Sequence, residues 1–168
     1  MTINIDEMTD VEKYDFDFDY EEVAKKVIEK AVDYVNCPYE VEVNLELADN
    51  EQVRNINYEQ RNIDSATDVL SFPMVEYEVA GDFAFLENDD MGYFDPDSGE
   101  LMLGDIVISC DRVVSQASEY GHDKKREFAF LIAHSMFHLF GYDHMTEEEA
   151  ERMFAMQEEV LHSLGIER

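Results

Sequence analysis

The sequence predicts an α+β protein in which a mixed β-sheet packs against helices around a buried metal-binding helix. Three observations lead there. Residues 39–47 alternate strictly, with Val41, Val43, Leu45 and Leu47 on one side and Glu40, Glu42 and Glu46 on the other, as in a half-buried strand. Ile106-Val107-Ile108 is a continuous apolar run, as expected of a central strand covered on both faces. Residues 128–140 are apolar except for a stripe of His134, Ser135 and His138, so their helix belongs in the core. At 168 residues a single domain over 1–168 is expected, long enough to bury a core.

In chain order, Ile3 and Ile5 alternate with polar neighbours and predict a short first strand. Val23, Ala24, Val27, Ile28, Ala31, Val32 and Val35 then recur at the helical period, and Asn36 and Pro38 end that helix. After the strand at 39–47, Asp49 or Asn50 caps a helix reaching about residue 62, with Val53 and Ile56 on its buried side. Arg54 and Arg61 lie seven residues apart on nearly one face, and a cation at 61 suits the negative end of the helix. Residues 69–72 form a strand closed by Pro73, which cannot donate to a ladder and so marks an edge or a strand end.

Residues 74–100 are rich in acids and aromatics and are broken by Gly81, Gly92, Pro96 and Gly99. So long a connection reads as an acidic insertion, and long connections are usually functional or mobile. Its Tyr77, Phe83, Phe85, Tyr93 and Phe94 either stack bases or pin the loop to the surface. Asp105 is either an acid supporting the metal ligands or a strand-end residue. Ser109 or Asp111 opens a helix through Val113, Val114, Ala117 and Tyr120 that Gly121 stops, and Asp123 caps the metal helix. Lys124-Lys125-Arg126 is a dense basic cluster at a helix N-terminus, where the macrodipole disfavours cations, and phosphate contact would account for it. Thr146 and Glu149 predict a capping box for a last helix with Ala150, Met153, Phe154, Val160, Leu161 and Leu164 inward, ending at Gly165.

His134 and His138 stand at i and i+4, which stacks two imidazoles on one helical face. Gly141 ends the helix and turns the chain so that His144 can return over that face. Three imidazoles with an open fourth position describe a catalytic zinc site, whereas structural sites usually close their shell. Asp143 could ligate in place of His144 or orient a histidine. The glutamate that follows the first histidine in the protease motif His-Glu-x-x-His is absent, and Ser135 stands there, which argues against a peptidase.

The spacing His134-x-x-x-His138-x-x-x-x-x-His144 ending in Gly-Tyr-Asp-His resembles the YbeY endoribonucleases, bacterial rRNA maturation factors. Thr67-Asp68-Val69-Leu70-Ser71-Phe72-Pro73 and Gly104-Asp105-Ile106-Val107-Ile108-Ser109 share in it. The resemblance spans about residues 41–165. Ser135 replaces the family's usual glycine, and the stretch between Pro73 and Gly104 is long for the family. The resemblance implies a zincin-like fold, one zinc ion on the three histidines, and a catalytic, substrate-binding role for Arg61. It further implies single-stranded RNA as substrate, as rRNA in a ribosomal context, with ribosomal or assembly-factor proteins as partners.

The formal charge of −29, from 12 basic against 41 acidic residues, opposes free nucleic acid as a partner, because phosphate binding is driven by Lys and Arg. An RNA-cutting protein of this charge needs a local basic rim, such as Arg61 or Lys124, Lys125 and Arg126, or divalent cations, or a partner that delivers substrate. Cys37 and Cys110 are isolated thiols, which fits a reducing cytoplasm. The N-terminus lacks the basic start and apolar core of a signal peptide, and no run approaches the ~20 apolar residues needed to span a bilayer. A cytoplasmic protein with no membrane partner is expected.

The leading expectation is therefore a single-zinc endoribonuclease. The alternatives are another metal-dependent hydrolase and a ribosome-assembly factor whose metal is mainly structural. Three imidazoles also accept nickel, copper or iron.

Overall fold

The computed structural model describes residues 1–88 and 92–167, so positions 89–91 of the acidic segment 74–100 lie outside the described residues. Its strands are β1 (Thr2–Glu7), β2 (Val41–Ala48), β3 (Val69–Pro73) and β4 (Leu101–Ser109). They form one sheet in the order β1-β2-β4-β3. β1, β2 and β4 run parallel, and β3 runs antiparallel to β4 at the edge, where Pro73 needs no ladder partner for a missing N–H.

Parallel strands need crossovers that cover the sheet. Helix α1 (Tyr20–Tyr34) is the first, joining β1 to β2. It shares the larger core with the buried residues of α4 (Lys124–Leu139) and α5 (Glu147–Ser163) and with Val43, Leu45, Leu47, Ile106 and Ile108 of the sheet. Helix α2 (Asn50–Arg61) lies across the other face, where Val53 packs with Ala48, Leu70 and Val107. β4 is thereby covered on both sides, as its unbroken apolar run requires. α3 (Cys110–Tyr120) follows β4 directly. Five α-helices and a mixed four-stranded sheet are thus present among the described residues.

The helix starts resolve the choices that the sequence left open. Asp49 caps α2 in a full capping box, its carboxylate accepting from the Gln52 N–H while the Gln52 side chain accepts from the Asp49 N–H. Ser109 caps α3, and Asp111 instead accepts from the Asn50 N–H at 2.7 Å. Asp123 caps α4 as expected. At α5 the expected box is only half formed. Thr146 accepts from the Glu149 N–H, but the Glu149 carboxylate accepts from the Thr146 hydroxyl rather than its backbone.

The inward face of α5 also differs from the expectation. Ala150 is exposed and Phe154 is 51 % exposed. Met153, Val160 and Leu161 are buried as expected, and Met156 and Gln157 complete the stripe, so a glutamine takes an inward place. Asp105 proves to be a sheet residue, since it accepts from Asn44, which in turn accepts from Asn4, in a polar ladder across three strands.

Gly104 explains why its motif needs a glycine. It adopts φ +141°, and a Cβ there would lie 2.2 Å from the Phe72 carbonyl and 3.2 Å from Leu139 of α4. The absent side chain lets the edge strand and α4 close together. Tyr77 and Phe83 pin segment 74–88 to the core, while Phe85 is 42 % exposed. Phe83 is buried, packs edge-on to Tyr77 and to Phe140 with centroids 5.8 Å apart in each case, and Gly81 donates its N–H to the Phe140 carbonyl.

Candidate metal centre

Helix α4 is buried along most of its length, with Phe128, Ile132 and Phe137 fully enclosed. The i, i+4 spacing brings His134 and His138 side by side, ring centroids 4.6 Å apart. The helix ends in a Schellman turn, with the Tyr142 N–H donating to the Phe137 carbonyl and the Gly141 N–H to the His138 carbonyl. Gly141 sits at φ +91°, and a Cβ there would come within about 3 Å of the Tyr77 ring. This turn returns His144 over the helix, its ring centroid 5.3 Å from His134 and 5.0 Å from His138. One nitrogen from each ring falls within 4.8 Å of the others.

The donor chemistry fits a metal ion. His138 Nδ1 is 2.9 Å from the Tyr142 carbonyl, an acceptor only, so the ring proton sits on Nδ1 and Nε2 is bare. His134 Nδ1 faces Gln157 Oε1 at 3.4 Å, and its Nε2 lies 3.1 Å from His138 Nε2. Two nitrogens ~2.1 Å from one zinc ion in a tetrahedral shell would lie about 3.4 Å apart. Two lone pairs aimed at one point are satisfied by a cation. Burial pushes the His134 imidazolium down to about 4, reinforced by His138, and burial lowers His138 as well. Both rings are therefore neutral near pH 7, as ligation requires.

The three histidines line a cavity of about 820 Å³ together with Arg61, Asp68, Ser71 and the 141–145 loop. Arg61, at the last turn of α2, is exposed and makes no ion pair among the described residues. Arg54, two turns earlier, has its guanidinium closed on Asp64 at 2.7 and 3.1 Å. The cavity's carboxylates are engaged locally. Asp68 accepts from the Val69 N–H and from Gln116, and Asp143 accepts from the His144 N–H. Asp143 thus steadies the loop and stands outside the nitrogen cluster. Ser135 is fully buried and bonded to Ser71 at 2.6 Å, which ties α4 to β3.

The basic cluster lies elsewhere, and two of its three cations are engaged in the fold. Lys124 donates to the carbonyls of Tyr14 and Asp15, and Arg126, 3 % exposed, pairs with Glu158 and donates to the Ile166 carbonyl. Lys125 lines a separate cavity with Asp17, Asp19 and Glu22. None of the three lines the histidine cavity. Lys124 and Arg126 are held by carbonyls and an acid of neighbouring segments, whereas Lys125 is exposed. His162 is exposed and pairs with Glu167. Asp68, Ser71, the Tyr142 carbonyl and Gln157 are the site residues that sequence reading passed over. Asp68 and Ser71 lie in the motif at 67–73 and Gln157 shows as a polar residue in the apolar stripe of α5, whereas the Tyr142 carbonyl leaves no signal.

Fold and centre together define a mixed α+β protein with a three-histidine centre of the kind metal-dependent hydrolases use. A family model described as endoribonuclease YbeY matches residues 4–165, and the chain belongs to that family. It is 58 % identical over 153 residues to an endoribonuclease YbeY of Agathobacter rectalis, covering 91 % of this chain and 93 % of that one. It is 54 % identical to that of Lachnoclostridium phytofermentans over 168 residues, the full length of both. The solution structure of TM1509 from Thermotoga maritima is similar at a TM-score of 0.56 and 23 % identity, covering 97 % of this chain and 91 % of that one, and shows the shared fold. Among the described residues no helix is long and apolar enough to cross a membrane.

Proposed function

We propose that the protein is a single-zinc endoribonuclease that cuts single-stranded RNA, with rRNA in a ribosomal setting as substrate and ribosome maturation and quality control as its context. The observation that carries this reading is a guanidinium, Arg61, unpaired among the described residues and sharing one cavity with three converging imidazoles. His134, His138 and His144 would hold the ion, and the arrangement is zincin-like in taking two ligands from one helix and a third from beyond its turn. Bound zinc supplies Lewis-acid charge and a water acidified toward a pKa of ~7. Arg61 stays charged at all relevant pH, and its planar fork binds two phosphate oxygens at once, so it can steady charge developing on phosphorus. With Asp68 and Asp143 engaged locally and Ser135 bonded to Ser71, no glutamate among the described residues lines the histidine cavity as a peptidase base would. Within the cavity substrate contact falls to Arg61, and any contact by Lys124, Lys125 or Arg126 would lie outside it. The cytoplasm, where rRNA matures, is the matching compartment, and ribosomal or assembly-factor proteins would bring the RNA to so acidic a surface.

The acidic surface favours the rival reading, a metal-dependent hydrolase of another substrate. Zinc-loaded protein incubated with single-stranded RNA, duplex RNA and unstructured peptides separates the two. Internal cleavage of single-stranded RNA is expected, and cleavage of peptides alone would reverse the assignment. A 2′,3′-cyclic phosphate end on the product marks attack by the ribose hydroxyl, and a 5′-phosphate marks attack by water.

A further inference from the structure

We infer that Gln157 is a positioning residue that selects the metal-accepting tautomer of His134, an inference that rests on reading the three imidazoles as a zinc site. The neutral rings of His134 and His138 can offer Nε2 to a cation only when the proton sits on Nδ1. For His138 the backbone decides this, because the Tyr142 carbonyl beside Nδ1 can only accept. For His134 the neighbour is a side-chain amide, which has an acceptor at one corner and a donor at the other.

With Oε1 toward the ring, His134 carries its proton on Nδ1, and the two Nε2 atoms, 3.1 Å apart, present lone pairs to one point. A half-turn of the amide would set the Gln157 NH₂ against Nδ1 and move the ring proton to Nε2. His134 Nε2 would then donate to His138 Nε2 across the same gap, and the pair would close on itself and shut out the cation. The amide therefore has two settings, one receptive and one closed.

Burial makes this choice consequential. Gln157 is 2 % exposed and lies between Met153, Met156, Val160 and Leu161 on the inward face of α5, away from water that could answer the ring in its place. Its amide nitrogen is buried without a hydrogen-bond partner among the described residues. An apolar side chain here would leave no unpaired amide nitrogen, but it would take from His134 Nδ1 the acceptor it faces. The glutamine is explained by what its oxygen does for His134.

The test compares wild type with Gln157→Met, which keeps the volume and loses the acceptor, and Gln157→Glu, which can only accept. Zinc affinity is measured at pH 8 by chelator competition, ring tautomers of the metal-free proteins by ¹⁵N NMR, and folding by thermal melts. Gln157→Met should lose on the order of 10- to 100-fold in zinc affinity, the usual effect of removing a group that orients a ligand. It should melt no lower than wild type and show His134 protonated on Nε2. Gln157→Glu should bind zinc at least as tightly as wild type and hold the proton on Nδ1. A methionine variant with wild-type affinity and tautomer overturns the inference and leaves the metal site standing. Equal loss of zinc in both variants, with lowered melting, assigns Gln157 to packing alone and also overturns it. A wild-type protein that takes up no zinc removes the metal reading and the inference together.

Discussion

Arg54 and Arg61 stand on one helix, yet among the described residues only the first has a partner for its guanidinium. Arg54 is closed on Asp64, whose carboxyl it holds below the usual range. Arg61 opens onto the histidines. Replacing Arg61 by alanine should lower single-turnover RNA cleavage by roughly 10²- to 10³-fold, the scale of losing one stabilising donor. Zinc content should be unchanged, and stability should move by less than about 0.5 kcal/mol, as for exposed sites generally. His134 carries a second consequence. The unfolded imidazole titrates near 6.5 and the buried one near 4, so between these values the unfolded chain binds the extra proton. Stability of the metal-free protein should therefore be full above pH 6.5 and fall as pH drops toward 4, by up to roughly 3 kcal/mol. Urea midpoints of chelator-treated protein at pH 7.5 and 5 check this, and His134→Gln should flatten the difference.

At the scale of elements, the contact between β3, β4 and α4 depends on Gly104. Gly104→Ala puts a methyl group into the Phe72 carbonyl and demands an unfavourable φ, at an expected cost of about 1–3 kcal/mol in urea unfolding, with faster amide exchange along β3. Most elements could be read from periodicity because each has a face that the core demands. The alternation of β2, the helical spacing of α1 and the apolar run of β4 are direct records of burial. The two helical histidines and the turn at Gly141 were legible for the same reason, since they rest on local spacing. What stayed hidden depends on distant partners. Lys124 and Arg126 look free in a linear chain, but they answer Tyr14, Asp15, Glu158 and Ile166, segments that the topology alone brings near. On α5 the expected face holds at Met153, Val160 and Leu161, and only Ala150 and Phe154, in its acid-rich first half, turn outward.

Across the whole molecule, 41 acids against 12 bases make self-repulsion the dominant long-range force. Raising monovalent salt from roughly 10 mM to 1 M shrinks the screening length from ~30 to ~3 Å. The melting temperature should rise over that range. If RNA is the substrate, kcat/KM for a single-stranded oligonucleotide should also rise at first, opposite to a basic nuclease that loses phosphate contacts as salt increases. A falling curve from the lowest salt would indicate a cationic binding surface larger than Arg61.

The four-residue link from Gly141 to His144 does double duty, because the carbonyl that fixes the second imidazole belongs to the very stretch that delivers the third. Its length is therefore held on two counts at once. Inserting or deleting a single residue there would misdirect His144 and release His138 in the same stroke, whereas equal changes at a surface tip such as Gly99 would leave both rings where they are.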